Sequence, residues 1–318
     1  MIETVALLSP GDMGHAIGRT LRSGGLRVVT SLEGRSARTA ALASAAGIEA
    51  LPDDATLVRE ADALLAVLVP AAAPALGERI ARALEATGET LVYADLNAIA
   101  PRTTQGIGAR LEGAGARFVD GGIIGGPPQP GRAGPRIYLS GAPAAELEAL
   151  GRHGLQVRIL GPEVGQASGL KMCYAAMTKG LTALATELLV AGEAMGLSAP
   201  LRAELEGQQA LWGWMQRSVP GMPPKAYRWV GEMEEIAATF AATGLTPRIL
   251  EGAADMYRFV GETPLGQETP EARQQGTTLD EVIRILAQSL PSGEGPGGRD
   301  SADAGQGTER AASTLPAR

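Results

Sequence analysis

The stretch Val5-Ala-Leu-Leu-Ser-Pro-Gly-Asp-Met-Gly14 opens the chain and decides its fold class. Its apolar start is typical of a buried parallel strand, and two glycines follow at the spacing of a dinucleotide fingerprint whose first glycine is a serine here. The first of these glycines lets the backbone approach a pyrophosphate, and the second lets a helix pack on the strand. The residues expected to hold the dinucleotide are Ser9, Gly11, Asp12, Met13 and Gly14. The alternative is a glycine-rich turn that binds nothing.

Strand-like and helix-like segments alternate after this turn. Apolar strand segments lie at 26–30, 63–68 and 90–94, and helical segments fill 36–46 and the region up to about 86. Shorter apolar segments at 118–119, 137–139 and 157–159 are expected to extend the same sheet. This alternation predicts an α/β Rossmann domain over 1–161, with a doubly wound, mostly parallel sheet.

After residue 161 the sequence pattern changes from alternating strands and helices to helices alone. One long helix is predicted over 163–197, joining the domains, and further helices over 199–217, 223–243, 247–260 and 278–290. We therefore expect an all-α domain over 162–290, followed by a disordered tail over 291–318 that is rich in Gly, Ser, Asp and Pro.

Composition narrows the possible partners. The net charge of −7 and the isoelectric point near 5.1 argue against a nucleic-acid partner. A single cysteine excludes an internal disulfide, and with only two histidines a metal site is not expected. Neither a membrane span nor a signal peptide is apparent. We expect a cytoplasmic protein that acts on a small molecule.

The residues after the second strand bear on the choice of cofactor. An NAD enzyme usually places an acidic residue at the end of this strand, where it binds the ribose 2′-hydroxyl. Here Glu33 lies just beyond that place, whereas Ser31, Arg35 and Ser36 suit a 2′-phosphate. The pattern favours NADP over NAD, although NAD stays possible. In the alternative interpretation Arg35 is a solvated loop charge.

Two other strand ends are expected to face the cofactor, since open α/β sheets bind ligands outside the carboxyl ends of their strands. Val69 and Pro70 end one strand, and Asn97 follows the next. Asn97 either faces the nicotinamide or ribose, or it caps the helix that starts near Pro101.

A glycine-rich segment runs from Asp120 to Pro128. A loop of this kind exposes backbone N–H groups that bind an oxyanion, and the alternative is a tight turn between strands. Further along, the predicted long helix carries Lys171, Tyr174 and Thr178 on one face. A lysine partly stripped of water suits proton transfer near neutral pH, and the alternative is a side chain that extends to solvent. Lys179 is the rival lysine on this helix.

These segments resemble the β-hydroxyacid dehydrogenase superfamily, which includes 6-phosphogluconate dehydrogenase. The glycine turn, the Asp120 segment and the Lys171 helix occur in the order seen there, over roughly residues 2–265. The segments Asp120–Pro128 and Leu170–Lys179 are similar to a poorly characterised bacterial branch with a phosphogluconate-dehydrogenase-like C-terminal domain. The resemblance implies that Lys171 is the general acid/base of an NAD(P)-dependent oxidoreductase acting on a small hydroxy-acid-like molecule.

Two positions depart from the superfamily pattern. The usual asparagine one turn after the lysine is Ala175, and the usual serine of the glycine-rich loop is Ile124. The substrate-binding set is therefore expected to be Gly122, Ile124, Gly125, Gly126, Tyr174 and Thr178. The resemblance also implies a homodimer. The alternatives are an imine reductase-like enzyme, a class that commonly lacks the lysine, and a non-catalytic NADP-binding sensor.

Overall fold

The computed structural model describes residues 2–129 and 131–291. Its first part is a single eight-stranded sheet with helices on both faces, and its second part is helical. The sheet with its flanking helices confirms the predicted fold class. All but the first residue of the predicted disordered tail, 291–318, lies outside the described residues.

The strands run in the order β3-β2-β1-β4-β5-β6-β7-β8 across the sheet. Every neighbouring pair is parallel except β6 with β7, which is antiparallel. The chain order reverses between β1 and β4, which is the kind of switch point where doubly wound sheets bind ligands. The strands are β1 (Thr4–Leu8), β2 (Arg27–Ser31), β3 (Glu49–Leu51), β4 (Ala63–Ala66), β5 (Val92–Asp95), β6 (Arg117–Ile124), β7 (Arg136–Ser140) and β8 (Gln156–Gly161).

Five α-helices flank the sheet, and a 3-10 helix over Ala144–His153 connects β7 to β8. Six more helices form the second part of the chain, which begins with one helix of 29 residues. The helices are α1 (Asp12–Ser23), α2 (Ala37–Ala45), α3 (Asp54–Glu60), α4 (Ala73–Thr87), α5 (Pro101–Gly113), α6 (Gln166–Ala194), α7 (Ser198–Glu206), α8 (Gln209–Ser218), α9 (Ala226–Ala242), α10 (Arg248–Glu262) and α11 (Leu279–Gln288).

Three hydrophobic cores hold these layers together. Each face of the sheet packs its own apolar cluster, because side chains alternate between the two faces of a strand. The third cluster lies among α6 and the helices after it, where Met233, Ile236 and Tyr257 are completely buried. Since β8 ends at Gly161 and α6 begins at Gln166, we propose that the two domains meet in this short segment.

Several elements differ from the sequence prediction. Strand β3 and helix α3 are not among the predicted elements, because β3 has only three residues and two of them are exposed, so no alternation marks it. The predicted helix over 199–217 is two helices, α7 and α8, which are separated at Gly207. Within the described residues, no helix has the length and apolarity that a bilayer crossing requires.

A side chain of the helical part reaches the end of a sheet-domain helix. Helix α5 begins after Ala100, which offers no side-chain cap. Glu235 of α9 accepts hydrogen bonds from the Ala100 backbone N–H at 2.6 Å and from the Thr103 hydroxyl at 3.0 Å. A carboxylate at a helix N-terminus is favourable because it meets free N–H groups and the positive end of the helix dipole. This contact fixes α9 against the carboxyl edge of the sheet.

Candidate active site

The glycine turn has the geometry that dinucleotide binding requires. Ser9 has a φ of 65°, the left-handed conformation that the first glycine of the fingerprint normally adopts. A Cβ on Gly14 would lie 2.8 Å from the Ser9 carbonyl oxygen, so only glycine fits where α1 meets β1. The N-cap residue of α1 is Gly11, which has no side chain to cap the helix. The N–H groups of its first turn are therefore suited to a pyrophosphate.

The three residues predicted for the 2′-phosphate have different surroundings. Ser31 is completely buried at the end of β2, and its hydroxyl has no partner among the described residues. Arg35 is partly buried, and burial, with the nearby positive charge of Arg79, lowers the pKa of its guanidinium. Arg35 is therefore only partly solvated, and its contact with a 2′-phosphate stays a prediction. The Ser36 hydroxyl accepts a hydrogen bond from the Thr39 N–H and caps α2.

The ends of β4 and β5 are joined through Asn97. Its Oδ1 accepts a hydrogen bond from the Leu68 N–H at 2.6 Å, and its own N–H donates to the Asp95 carboxylate at 2.9 Å. The alternative that Asn97 caps the helix starting at Pro101 is wrong, since Ala100 is the N-cap residue. The Asn97 Nδ2 group is buried without a partner among the described residues. Such a donor fits a ligand at this edge of the sheet.

The same edge holds a protonatable carboxyl group. Burial raises the pKa of Asp95 to about 7, and the charge of Asp120 on the neighbouring strand adds to the rise. The two residues are directly paired in the register of β5 and β6. Of the residues after β4, Val69 is half exposed and Pro70 is buried.

Asp120 joins the sheet to the long helix α6. Its Oδ2 atom accepts hydrogen bonds from the backbone N–H groups of Gly165, Ala167 and Ser168, at 2.9, 3.0 and 3.1 Å. The Ser140 hydroxyl on β7 donates to the same oxygen at 2.9 Å. The carboxylate therefore occupies the N-terminus of α6, where the helix dipole favours a negative charge.

Two positions from Asp120, Gly122 lets the helix lie directly on the strand. A Cβ at Gly122 would be 2.8 Å from the Ala167 carbonyl oxygen and 2.9 Å from the Lys171 Cβ. The bare backbone of β6 is thus what allows Lys171 to approach the carboxyl half of the sheet. Asp120 holds the start of α6, and Gly122 sets how close the next turn comes.

The predicted glycine-rich loop is partly a strand, which corrects the sequence interpretation. Residues 120–124 belong to β6, so Gly122 and Ile124 lie in the strand, and Ile124 is buried. The chain turns at Gly125 and Gly126, which are exposed. The early glycines serve the contact between strand and helix, while Gly125 and Gly126 begin the connection from β6 to β7.

Lys171 is largely covered by protein. Burial lowers the pKa of its ammonium group to about 8, the positive charges of Lys179 and Arg228 lower it further, and Glu232 opposes them. Lys171 is therefore only partly exposed, and its role in proton transfer stays a prediction. Lys179 forms a partly buried ion pair with Glu232, and its Nζ lies 5.4 Å from the centre of the Trp229 ring.

The remaining predicted residues of α6 lie close to Lys171 in sequence but differ in exposure. Tyr174 is 45% exposed, and the Thr178 hydroxyl donates to the Tyr174 carbonyl oxygen at 3.3 Å. Ala175 is buried in the helical core and carries no polar group. With Ile124 also buried, neither departure from the superfamily pattern offers a substrate contact of the usual kind.

The predicted site omits two residues that affect the pKa of Lys171 but lie far from it in the sequence. Glu232 and Arg228 on α9 influence Lys171, yet they lie more than fifty positions along the chain. For these two residues, the only signal that the sequence offers is a charge on the apolar side of α9. No group of three or more metal-ligating side chains occurs in the part of the chain that the structure describes. A groove of about 1100 Å³ lies at the amino ends of the strands, opposite this site.

Comparison with known proteins agrees with this geometry. Residues 4–152 match the NAD binding domain of 6-phosphogluconate dehydrogenase, and residues 193–260 match a domain of unknown function. The sheet domain of this chain is therefore an NAD binding domain of the 6-phosphogluconate dehydrogenase type. The resemblance stated from the sequence is thus confirmed, while the family matched by the second domain has no known activity.

Individual relatives show how far the similarity extends. An uncharacterised 28.5 kDa protein of Methanothermus fervidus is 26% identical over 74% of this chain and 91% of its own length. A conserved protein of unknown function, described as similar to 3-hydroxyacid dehydrogenases, has a TM-score of 0.61 and 27% identity, covering 81% of this chain and 97% of its own. The 3-hydroxyisobutyrate dehydrogenase of Mycobacterium tuberculosis shares the fold, with a TM-score of 0.68 and 19% identity over 90% of this chain and 99% of its own. Imine reductases share the fold at lower TM-scores.

We expect Gly122→Ala to separate α6 from β6. The new methyl group would meet backbone at 2.8 Å, so the helix must shift, and overpacking of this kind costs about 1–3 kcal/mol. Gly126→Ala is the matched control, because nothing lies within 4 Å of the place its methyl group would take and its φ is not left-handed. Thermal unfolding checks this: Gly122→Ala should melt several degrees lower than Gly126→Ala, and equal melting temperatures would contradict the close contact.

Proposed function

We propose that the protein is an NAD(P)-dependent oxidoreductase that transfers a hydride between the nicotinamide and a small hydroxy or keto compound. One observation carries the proposal. Lys171 is held on the carboxyl half of a dinucleotide-binding sheet, and burial lowers the pKa of its ammonium group to about 8. A general acid/base is most effective when its pKa lies near the working pH.

In such a reaction, cofactor binding and proton transfer would be the roles of different residues of the chain. The turn at Ser9, Gly11, Asp12, Met13 and Gly14 supports binding of the pyrophosphate through backbone N–H groups and the start of α1. A bound nicotinamide would supply the hydride acceptor for oxidation and the hydride donor for reduction. Neutral Lys171 takes the proton from the substrate hydroxyl as the hydride leaves, and the ammonium form returns it in the reverse direction.

The substrate itself must be held by residues other than the usual pair. Gly125 and Gly126 expose backbone groups at the end of β6, and Tyr174 and Thr178 follow Lys171 on α6. We propose these four as the substrate contacts, whereas the predicted residues Gly122 and Ile124 are buried and would support the site from beneath it. A small polar molecule, such as a hydroxy acid, fits this set.

We propose NADP as the preferred cofactor. Arg79 on α4 lies close enough to Arg35 to lower the pKa of Arg35, and Arg79 is itself paired with Asp54 at 2.6 Å. A 2′-phosphate would relieve this repulsion and meet the unpartnered hydroxyl of Ser31. The part of the cofactor nearer the nicotinamide would then be lined by Val69, Pro70 and Asn97.

A homodimer is part of the same proposal. Several large apolar side chains of the helical domain are exposed, including Met177 and Leu184 on α6 and Ile249 on α10, the last at 76%. Apolar groups that monomers normally bury indicate a protein contact.

Turnover separates this proposal from its rivals. We expect reduction of NADP when hydroxy acids and sugar acids are screened with the purified protein. Reduction of cyclic imines alone would favour the imine reductase. Binding of NADPH without turnover in either screen would favour the non-catalytic sensor.

Lys171→Met keeps the bulk of the side chain and removes its proton. We expect turnover to fall by roughly 10²–10⁴, with NADPH affinity retained, because positioned acid–base catalysis has about this value. Native oxidation should accelerate as the pH rises through about 8, since only the neutral amine accepts a proton, and reduction should slow over the same range. Stopped-flow measurement of hydride transfer across this range checks both.

Lys179→Met is the control for that experiment. Removing the positive charge of Lys179 and freeing Glu232 both favour the charged form of Lys171, so the oxidation profile should move to higher pH. The turnover reached at high pH should stay near native. If Lys171→Met retained near-native turnover, the proposed proton transfer would be wrong.

Arg35→Ala should weaken NADPH binding and leave NADH binding nearly unchanged. The reason is that the guanidinium would contact only the 2′-phosphate, and a charged hydrogen bond of this kind is worth about 1.5–3 kcal/mol. Fluorescence titration with both cofactors measures the difference. Native protein that binds NADH as tightly as NADPH would overturn the preference.

A further inference from the structure

A cavity of about 390 Å³ lies between the first turn of α1 and the start of α9. Asp12 and Arg38 line it from the sheet domain, and Lys225 and Arg228 line it from the helical domain. The cavity therefore adjoins the turn where the pyrophosphate is expected to bind.

The positively charged side chains on the cavity walls differ in the carboxylate partners that they have. Arg38 has two carboxylate partners, Asp12 at 2.6 Å and Glu271 at 2.7 Å. Lys225 and Arg228 take part in no ion pair with any residue that the structure describes. The Arg228 Nε atom is also buried without a hydrogen-bond partner. Two cations on one wall thus form no ion pair with the described residues, although the carboxylates of Asp12, Glu268 and Glu271 line other parts of the cavity.

These cations also repel each other. Burial lowers the pKa of the Lys225 ammonium, and the positive charges of Arg228 and Arg273 lower it further. Arg228 acts in the same sense on Lys171. Partly desolvated like charges are unfavourable unless an anion joins them. The arrangement is therefore incomplete on its own.

The distribution of lysines supports the same conclusion. The chain contains three lysines, Lys171, Lys179 and Lys225, although it has 28 basic residues in total. Each of them is linked to its neighbours by a pKa shift or an ion pair in the region between α6 and α9. The charge of Asp12 at the glycine turn opposes the lowering of the Lys225 pKa, and the charge of Arg228 adds to the lowering of the Lys171 pKa. The two cations therefore lie between the two halves of the proposed site.

We propose that Lys225 and Arg228 form an oxyanion-binding site through which the helical domain binds the cofactor or the substrate. The inference rests on the proposed function in one respect, that the oxyanion is either a phosphate of the dinucleotide or the acid group of the substrate. Both present the same chemistry to a lysine and an arginine. Either would neutralise the paired cations and draw the start of α9 towards α1.

Calorimetric titration of the full chain tests the site with three probes. These are inorganic pyrophosphate, NADPH, and malonate in the presence of saturating NADP. The variants are Lys225→Gln and Arg228→Gln, and Arg248→Gln is the charge-matched control because Arg248 is exposed and outside the cavity. Without ligand, neither cavity variant should melt below the native protein, since each removes a repelled cation.

We expect each cavity variant to weaken at least one probe tenfold or more, while the control changes none by more than twofold. Loss of pyrophosphate and NADPH affinity identifies the dinucleotide as the source of the oxyanion. Loss of malonate affinity alone identifies the substrate. If all three affinities stay within twofold of native in both variants, the site does not exist.

Failure of the proposed function would look different. Native protein that binds neither NADPH nor NADH contradicts the oxidoreductase, whereas the pyrophosphate titration still tests the two cations. Native protein that binds NADPH normally, with variants that match it on every probe, overturns only the oxyanion site.

Discussion

Everything in the site depends on the hydrogen bonds between the Asp120 carboxylate and the first turn of α6. One oxygen atom accepts from three backbone N–H groups of the helix and from Ser140 on β7. The start of a 29-residue helix is thereby fixed to the sheet. Because Gly122 carries no side chain, the next turn then places Lys171 on the strand. Burial follows from that placement, and the lowered pKa follows from burial.

The helical domain adds a second set of constraints to this frame. Glu235 fixes α9 to the start of α5, so the residues before it on α9 face the cleft at a fixed distance. Glu232 and Arg228 thus come near Lys171 with opposite effects on its pKa. Domain contact and proton chemistry are therefore linked through α9, which carries Glu235 at the contact with α5 and Glu232 and Arg228 near Lys171.

Local patterns can be predicted from the sequence, and contacts between distant segments cannot. The β1–α1 turn and the continuity of α6 follow from short stretches of apolar periodicity and glycine spacing, so the sequence predicts both. Lys171 stands out by its apolar helix and by resemblance. Asp120 has the sequence surroundings of a loop residue, because nothing in its own neighbourhood reveals that it will meet residues 165–168. Lys225 and Arg228 escape prediction for the same reason.

The most direct test is the pKa of Lys171 in the native chain and in Asp120→Ala. Protein labelled with ¹³C at lysine Cε gives only three signals, and Lys171→Met assigns one of them. Asp62→Ala is the control, since Asp62 also accepts two backbone N–H groups but at the opposite edge of the sheet. The account predicts a pKa of about 8 in the native chain and the control, and a rise towards 10.5 in Asp120→Ala. A native pKa near 10.5, or no change in Asp120→Ala, would contradict it.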